Sequence, residues 1–136
     1  MNRLVSLMTG AVCALLPLLC VPTAAADNIV AEPPTPEDLV TYEVVSPVVG
    51  MANIEYVTTS GRILVPNVAL PWSFTVPVRD ALAPPPDGSQ VRADWRSTAG
   101  PARWVSVRVY VNGELICQNT LDIGNAACYG STRRIT

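Results

Sequence analysis

The residues of this chain that could do chemistry are few, and the 136 residues include no histidine at all. Without imidazole the usual nucleophile–base triads lack their base, and the commonest metal ligand is missing. Acid–base work would then fall to two carboxylates held together. Glu43 and Glu55 are the best candidates, because each sits in a short alternating segment, on the polar face of what should be neighbouring strands. The same pattern describes solvent-facing acids of half-buried strands, and that is the reading adopted, so no catalytic residue is assigned. Trp72, Trp95 and Trp104 could line a sugar- or lipid-binding surface, but such residues more often anchor a core, and Trp72 and Trp95 are read that way. Trp104 differs: it shares a face with Ser106 and Arg108, and Trp104 with Arg108 is the expected interaction surface.

The chain ends bound where these residues work. Met1-Asn2-Arg3 supplies one positive charge, an apolar run follows from Leu4 to Val21, and Thr23-Ala24-Ala25-Ala26 precedes Asp27. These are the three regions of a secretory signal peptide, with cleavage expected after Ala26. The alternative is an uncleaved anchor, since ~18 apolar residues is just enough to span a bilayer. Pro22 argues against a continuing helix, and Cys20 lacks the small residues before it that lipidation requires. Of the four cysteines, Cys13 and Cys20 leave with this segment. Cys117 and Cys128 then enter an oxidising compartment, where a disulfide is the default. Two thiols without histidine are too few ligands for a structural metal site, and no metal or cofactor is expected. A formal net charge of −2 with no basic stripe argues against nucleic acid. The expected product is a secreted or periplasmic protein of the cell envelope.

The elements that would position these residues are all strand-like after the start. Residues 1–26 are the signal peptide and residues 27–38, with Pro33-Pro34-Thr35-Pro36, an extended linker. Within residues 39–130, Val40, Tyr42 and Val44 alternate with polar residues, as do Ile54 and Tyr56. Thr59-Ser60-Gly61 supplies a turn, after which residues 62–65 should pair back as a hairpin. Trp72, Phe74, Val76 and Val78 form a strand that Pro77 assigns to an edge or ends early. Val91, Ala93 and Trp95 make another, and Val105, Val107, Val109 and Val111 the longest alternation in the chain. Asn112-Gly113 closes it with a type I′ hairpin signal; residues 114–118 return, and residues 126–129 complete the count. Residues 131–136 read as a flexible, solvated tail. Seven to eight short strands with no helical period predict an all-β fold, an antiparallel immunoglobulin-like β-sandwich, with a small closed barrel as the alternative.

Tyr42-Glu43-Val44, Ala52-Asn53-Ile54-Glu55-Tyr56, Leu70-Pro71-Trp72-Ser73-Phe74 and Val109-Tyr110-Val111-Asn112-Gly113-Glu114 before a terminal cysteine resemble, in order and spacing, the extracytoplasmic domain of the mycobacterial small membrane protein (MmpS) family. The resemblance covers roughly residues 39–128. It implies a periplasmic β-sandwich behind one N-terminal transmembrane helix, acting as accessory to MmpL-type exporters of lipids and siderophores. A lipid- or glycan-binding module, or a structural or virulence-related secreted protein independent of a transporter, are the alternative readings. Two departures stand out. The N-terminus looks cleavable, and the family's first cysteine matches Val107, whereas here Cys117 lies on the return strand. In a two-residue hairpin Val111 faces Glu114, which makes Arg108 the neighbour of Cys117 and turns Cys117 away from the valines unless a bulge shifts the register. The bridge to Cys128 is then expected as a local staple across the last hairpin.

Overall fold

The structure is a computed structural model that describes residues 35–136; the signal peptide and all but the end of the expected linker lie outside the described residues. Nine strands occur among the described residues: β1 Asp38–Val45, β2 Met51–Thr58, β3 Gly61–Ala69, β4 Trp72–Val78, β5 Gln90–Asp94, β6 Val105–Val111, β7 Glu114–Leu121, β8 Asn125–Tyr129 and β9 Arg134–Ile135. They form a five-stranded sheet of order β4-β1-β6-β7-β9 and a four-stranded sheet of order β3-β2-β5-β8. All ladders are antiparallel except the short one between β7 and β9. The expected β-sandwich is therefore present, with one strand more than the sequence pattern predicted.

The core follows from period-two alternation. Val40, Tyr42 and Val44 of β1 and Val105, Val107, Val109 and Val111 of β6 point inward from one sheet. Ile54 and Tyr56 of β2, Val91 and Ala93 of β5 and Ala126 and Cys128 of β8 meet them from the other. Trp95, 1 % exposed, closes this layer just after β5. Asn112 and Gly113 have φ of 49° and 85°, as the type I′ turn between β6 and β7 requires. β4 is an edge strand, as Pro77 predicted.

Several expectations are corrected. β3 runs to Ala69, well past residue 65, because Pro66 is taken up in a register shift against β2 opposite residues 52–54, with Asn67 at φ 53°. Glu43 and Glu55 are not on neighbouring strands: β1 and β2 belong to different sheets, so the two acids occupy opposite outer faces of the sandwich. In the β6–β7 hairpin a bulge shifts the register, pairing Tyr110 with Leu115 but Val109 with Cys117. Ile116 is the extra residue, and both it and Cys117 are 3 % exposed. Cys117 thus faces the valines and not away from them. Its disulfide to Cys128, with Cα atoms 5.7 Å apart, joins β7 of one sheet to β8 of the other; it is an inter-sheet tie and not a staple within a hairpin. Arg134 and Ile135, inside the segment read as a flexible tail, pair in parallel with Cys117 and Gln118.

Candidate functional site

Two surfaces bring together the residues that could recognise something. The first is the margin where β3 and β4, consecutive in the chain, end their respective sheets. Period-two alternation aims Trp72, Phe74, Val76 and Val78 inward from β4, in register with Val44, Tyr42, Val40 and Asp38 of β1. Opposite, Ile63 and Val65 of β3 pair with Tyr56 and Ile54 and so share their inward face. At an edge, however, no further strand covers such residues. Phe74 stays 47 % and Ile63 38 % exposed, while Tyr56 between them is buried. The rings form one cluster: Tyr56 lies 5.4 Å from Trp72 and 5.7 Å edge-on to Phe74, and Trp72 and Phe74 stack at 6.2 Å. An aromatic cluster anchored in the core but open on one side is a surface for apolar or stacking contact.

Tyr42 continues the cluster inward, 5.8 Å from Tyr56. Its phenol donates to the Val57 carbonyl at 2.8 Å and accepts the Gln90 N–H at 3.3 Å, so it bridges the sheets at the foot of the margin. Burial pushes its pKa up to about 12, against the partial offset of those two backbone contacts.

The second surface is the outer face of the five-stranded sheet, where the sequence predicted Trp104 with Arg108. Trp104 immediately precedes β6 and is 46 % exposed. Its carbonyl accepts the Ser46 hydroxyl at 2.7 Å, and the Ser46 oxygen in turn accepts the Val49 N–H at 2.9 Å. The β1–β2 loop thereby fixes the backbone that presents the indole. Arg108, in register with Glu43 on one side and Gln118 on the other, donates to both, at 3.3 and 2.7 Å. Tyr110 donates to the same Glu43 oxygen at 3.2 Å; burial first, and then the adjacent carboxylate, raise its pKa. The guanidinium is thus held in a cross-strand ladder, with Trp104 the freer member of the pair.

The acids considered for catalysis are likewise engaged: Glu43 by Arg108, and Glu55 by Arg62 at 2.7 Å. Asp94, with Arg96 beside it, has its carboxyl held below the usual range chiefly by that hydrogen bond. Among the described residues no three of the cysteine, aspartate and glutamate side chains are grouped as a metal site would need. A cleft of about 490 Å³ lies by the β2–β3 turn and the β4–β5 loop, lined by Thr58, Thr59, Arg79, Asp80 and Asp87 among others; it does not reach the aromatic margin.

Residues 21–130 match the model of the Mycobacterium membrane protein family. The chain belongs to that family. The match runs through β8 and covers every strand just described except β9, so the two-sheet core with its inter-sheet disulfide is the family domain in this protein. Membership makes this an envelope-associated protein. Among the described residues no helix is long and apolar enough to cross a membrane. No curated protein matches the sequence.

Sequence reasoning foresaw Trp72 as a core residue, and the structure has it half-buried and packed against the core. It missed the margin, because alternation alone makes Phe74 and Ile63 look as inward as any valine. Pro66 inside an apolar run was the available signal that β3, like β4, is an edge strand.

Proposed function

We propose that this protein is a non-enzymatic accessory of the mycobacterial envelope that binds an MmpL-type exporter or its lipid-like cargo. Family membership supports the envelope setting, and the observation that carries the binding role is the aromatic margin with Phe74 47 % exposed. Half-exposed aromatics on a rigid floor lose little side-chain entropy on contact and dominate interface energetics. Glu43 and Glu55, the acids considered for catalysis, are bound up in ion pairs with Arg108 and Arg62, which suits recognition better than proton transfer. The mature chain begins at Asp27 in this reading and works outside the cytoplasmic membrane; intact mass of the exported protein tests that start, and retention of residues 1–26 in a membrane fraction would restore an anchored form.

The binding test is co-purification from envelope extracts with tagged full-length protein. Wild type should retain an MmpL-type exporter, and Phe74→Asp should lose it while keeping the near-ultraviolet circular dichroism of the folded domain. Equal retention by folded Phe74→Asp and by Trp104→Ala would defeat both surfaces. The stacked Trp72–Phe74 pair also favours direct lipid contact; tryptophan fluorescence titrated with envelope lipid in vesicles separates cargo binding from exporter binding.

A further inference from the structure

The start of β1 is latched to the β6–β7 turn by one side chain. Asn112 of that turn accepts the Leu39 N–H through Oδ1 at 2.9 Å and donates from Nδ2 to Asp38 Oδ1 at 3.0 Å. Its own N–H reaches the Leu39 carbonyl at 2.8 Å. The other Asp38 oxygen accepts the Ala81 N–H at 3.0 Å, so the latch also gathers in the β4–β5 loop. None of these atoms belongs to the aromatic margin: Asp38 faces Val78 and Val44 faces Trp72, at opposite ends of the β1–β4 ladder. Of the asparagines in the chain, Asn112 alone precedes a glycine. A backbone nitrogen attacks the amide carbon of the preceding asparagine most readily when its own residue carries no side chain to obstruct the approach, and Gly113 carries none. Both residues are exposed, so water, the second reactant, has access.

We propose that Asn112 is a site of spontaneous deamidation gated by this latch, and that the modification, once made, keeps the start of β1 from closing as before. The Gly113 nitrogen bonds to Asn112 Cγ, the Cγ–Nδ2 bond breaks, and Nδ2 leaves as ammonia with the proton from Gly113. Water then opens the cyclic imide at either carbonyl, which yields aspartate or isoaspartate. An amide carbon pinned through both its oxygen and its nitrogen is poorly placed for that attack, so the reaction runs from conformers in which the latch has frayed. Afterwards a carboxylate stands where the donor was. The bond to Asp38 is lost, and two like charges meet across the former 3.0 Å contact, which opposes closure. The isoaspartate product also lengthens the backbone of a two-residue turn that already holds φ of 49° and 85°. Opening thereby becomes permanent, a one-way loosening of the point at which the chain ahead of Asp38 joins the fold.

The test is to incubate the purified exported protein in mildly alkaline buffer and follow each asparagine by peptide mapping and mass spectrometry, with aspartate and isoaspartate separated chromatographically. Wild type should deamidate at Asn112 ahead of Asn53, Asn67, Asn119 and Asn125. Asp38→Ala, which removes the acceptor of Nδ2, should accelerate the reaction at Asn112 about fivefold, the factor for losing one modest hydrogen bond. Glu37→Ala, a change at the exposed neighbour, should not. Asn112→Asp installs the product directly: amide hydrogen exchange at Leu39 and Ala81 should quicken while exchange within β6 stays unchanged. The proposal is overturned by wild type in which Asn112 reacts no sooner than the other asparagines, by Asp38→Ala that reacts at the wild-type rate or speeds every asparagine alike, or by Asn112→Asp that leaves exchange at Leu39 and Ala81 unaltered.

Discussion

At the scale of the residue, Tyr42 does two things that a phenylalanine there could not: from the five-stranded sheet it donates to the Val57 carbonyl and accepts the Gln90 N–H of the other sheet. Removing the hydroxyl leaves both backbone groups buried without it, and Tyr42→Phe should cost ~1–3 kcal/mol in urea unfolding. The same phenol sets an alkaline limit. Its folded pKa is about 12 against an ordinary 10.0, so the folded state holds the proton more tightly than the unfolded chain. That contribution is complete below pH 10 and lost as pH rises through about 12, on the order of 2–3 kcal/mol. Wild type should lose stability over that window relative to Tyr42→Phe; parallel profiles would contradict the burial of the phenol. The tryptophans give a second contrast. Trp95→Ala should lower stability by ~3–5 kcal/mol, whereas Trp104→Ala should leave melting nearly unchanged and weaken partner binding by ~2 kcal/mol if the indole is a hot spot. A large melting shift for Trp104→Ala with unchanged affinity would remove it from the interface.

At the scale of the element, alternation made the strands legible because each has one buried face: β1, β4 and β6 can be read directly from Val40 to Val111. What alternation cannot show is which strands share a sheet. Glu43 and Glu55 looked like neighbours for that reason, and lie on opposite faces. Nor does it show a single inserted residue. Ile116 reverses the parity of everything after it in β7, and only the position of Cys117 hinted that the regular count was wrong. Pro66 lies within β3, well past residue 65, because a bulge at an edge accommodates a proline that would end a central strand. The inter-sheet disulfide closes a separation of 11 residues, for which loop entropy gives roughly 3 kcal/mol. Cys117→Ala/Cys128→Ala should therefore unfold at a markedly lower urea midpoint, and thiol titration of the denatured wild type without reductant should find neither Cys117 nor Cys128 free.

At the scale of the whole molecule, the absence of histidine and the pairing of Cys117 with Cys128 leave the folded domain without a side chain that ordinarily titrates near neutrality. Its melting temperature should be flat from about pH 6 to pH 9. On the acid side the depressed Asp94 carboxyl contributes stability that is present above its unfolded pKa and declines as pH falls through its folded one. Asp94→Asn should shrink that acid loss only slightly, because the Arg96 partner is exposed and water screens the pair. A steep change in melting near pH 7 would point to a titrating group outside residues 35–136.

The position of β1 has a mechanical consequence. The chain ahead of Asp38 enters the domain not at an edge but at a strand flanked on both sides, by β4 and β6. A pull on the N-terminal end, along the strand, runs perpendicular to the hydrogen bonds of both ladders, so they are loaded in shear and must yield together, whereas an edge strand would peel away bond by bond. A domain held by its N-terminal side while a partner draws on its far surfaces is thus gripped where it resists extension best.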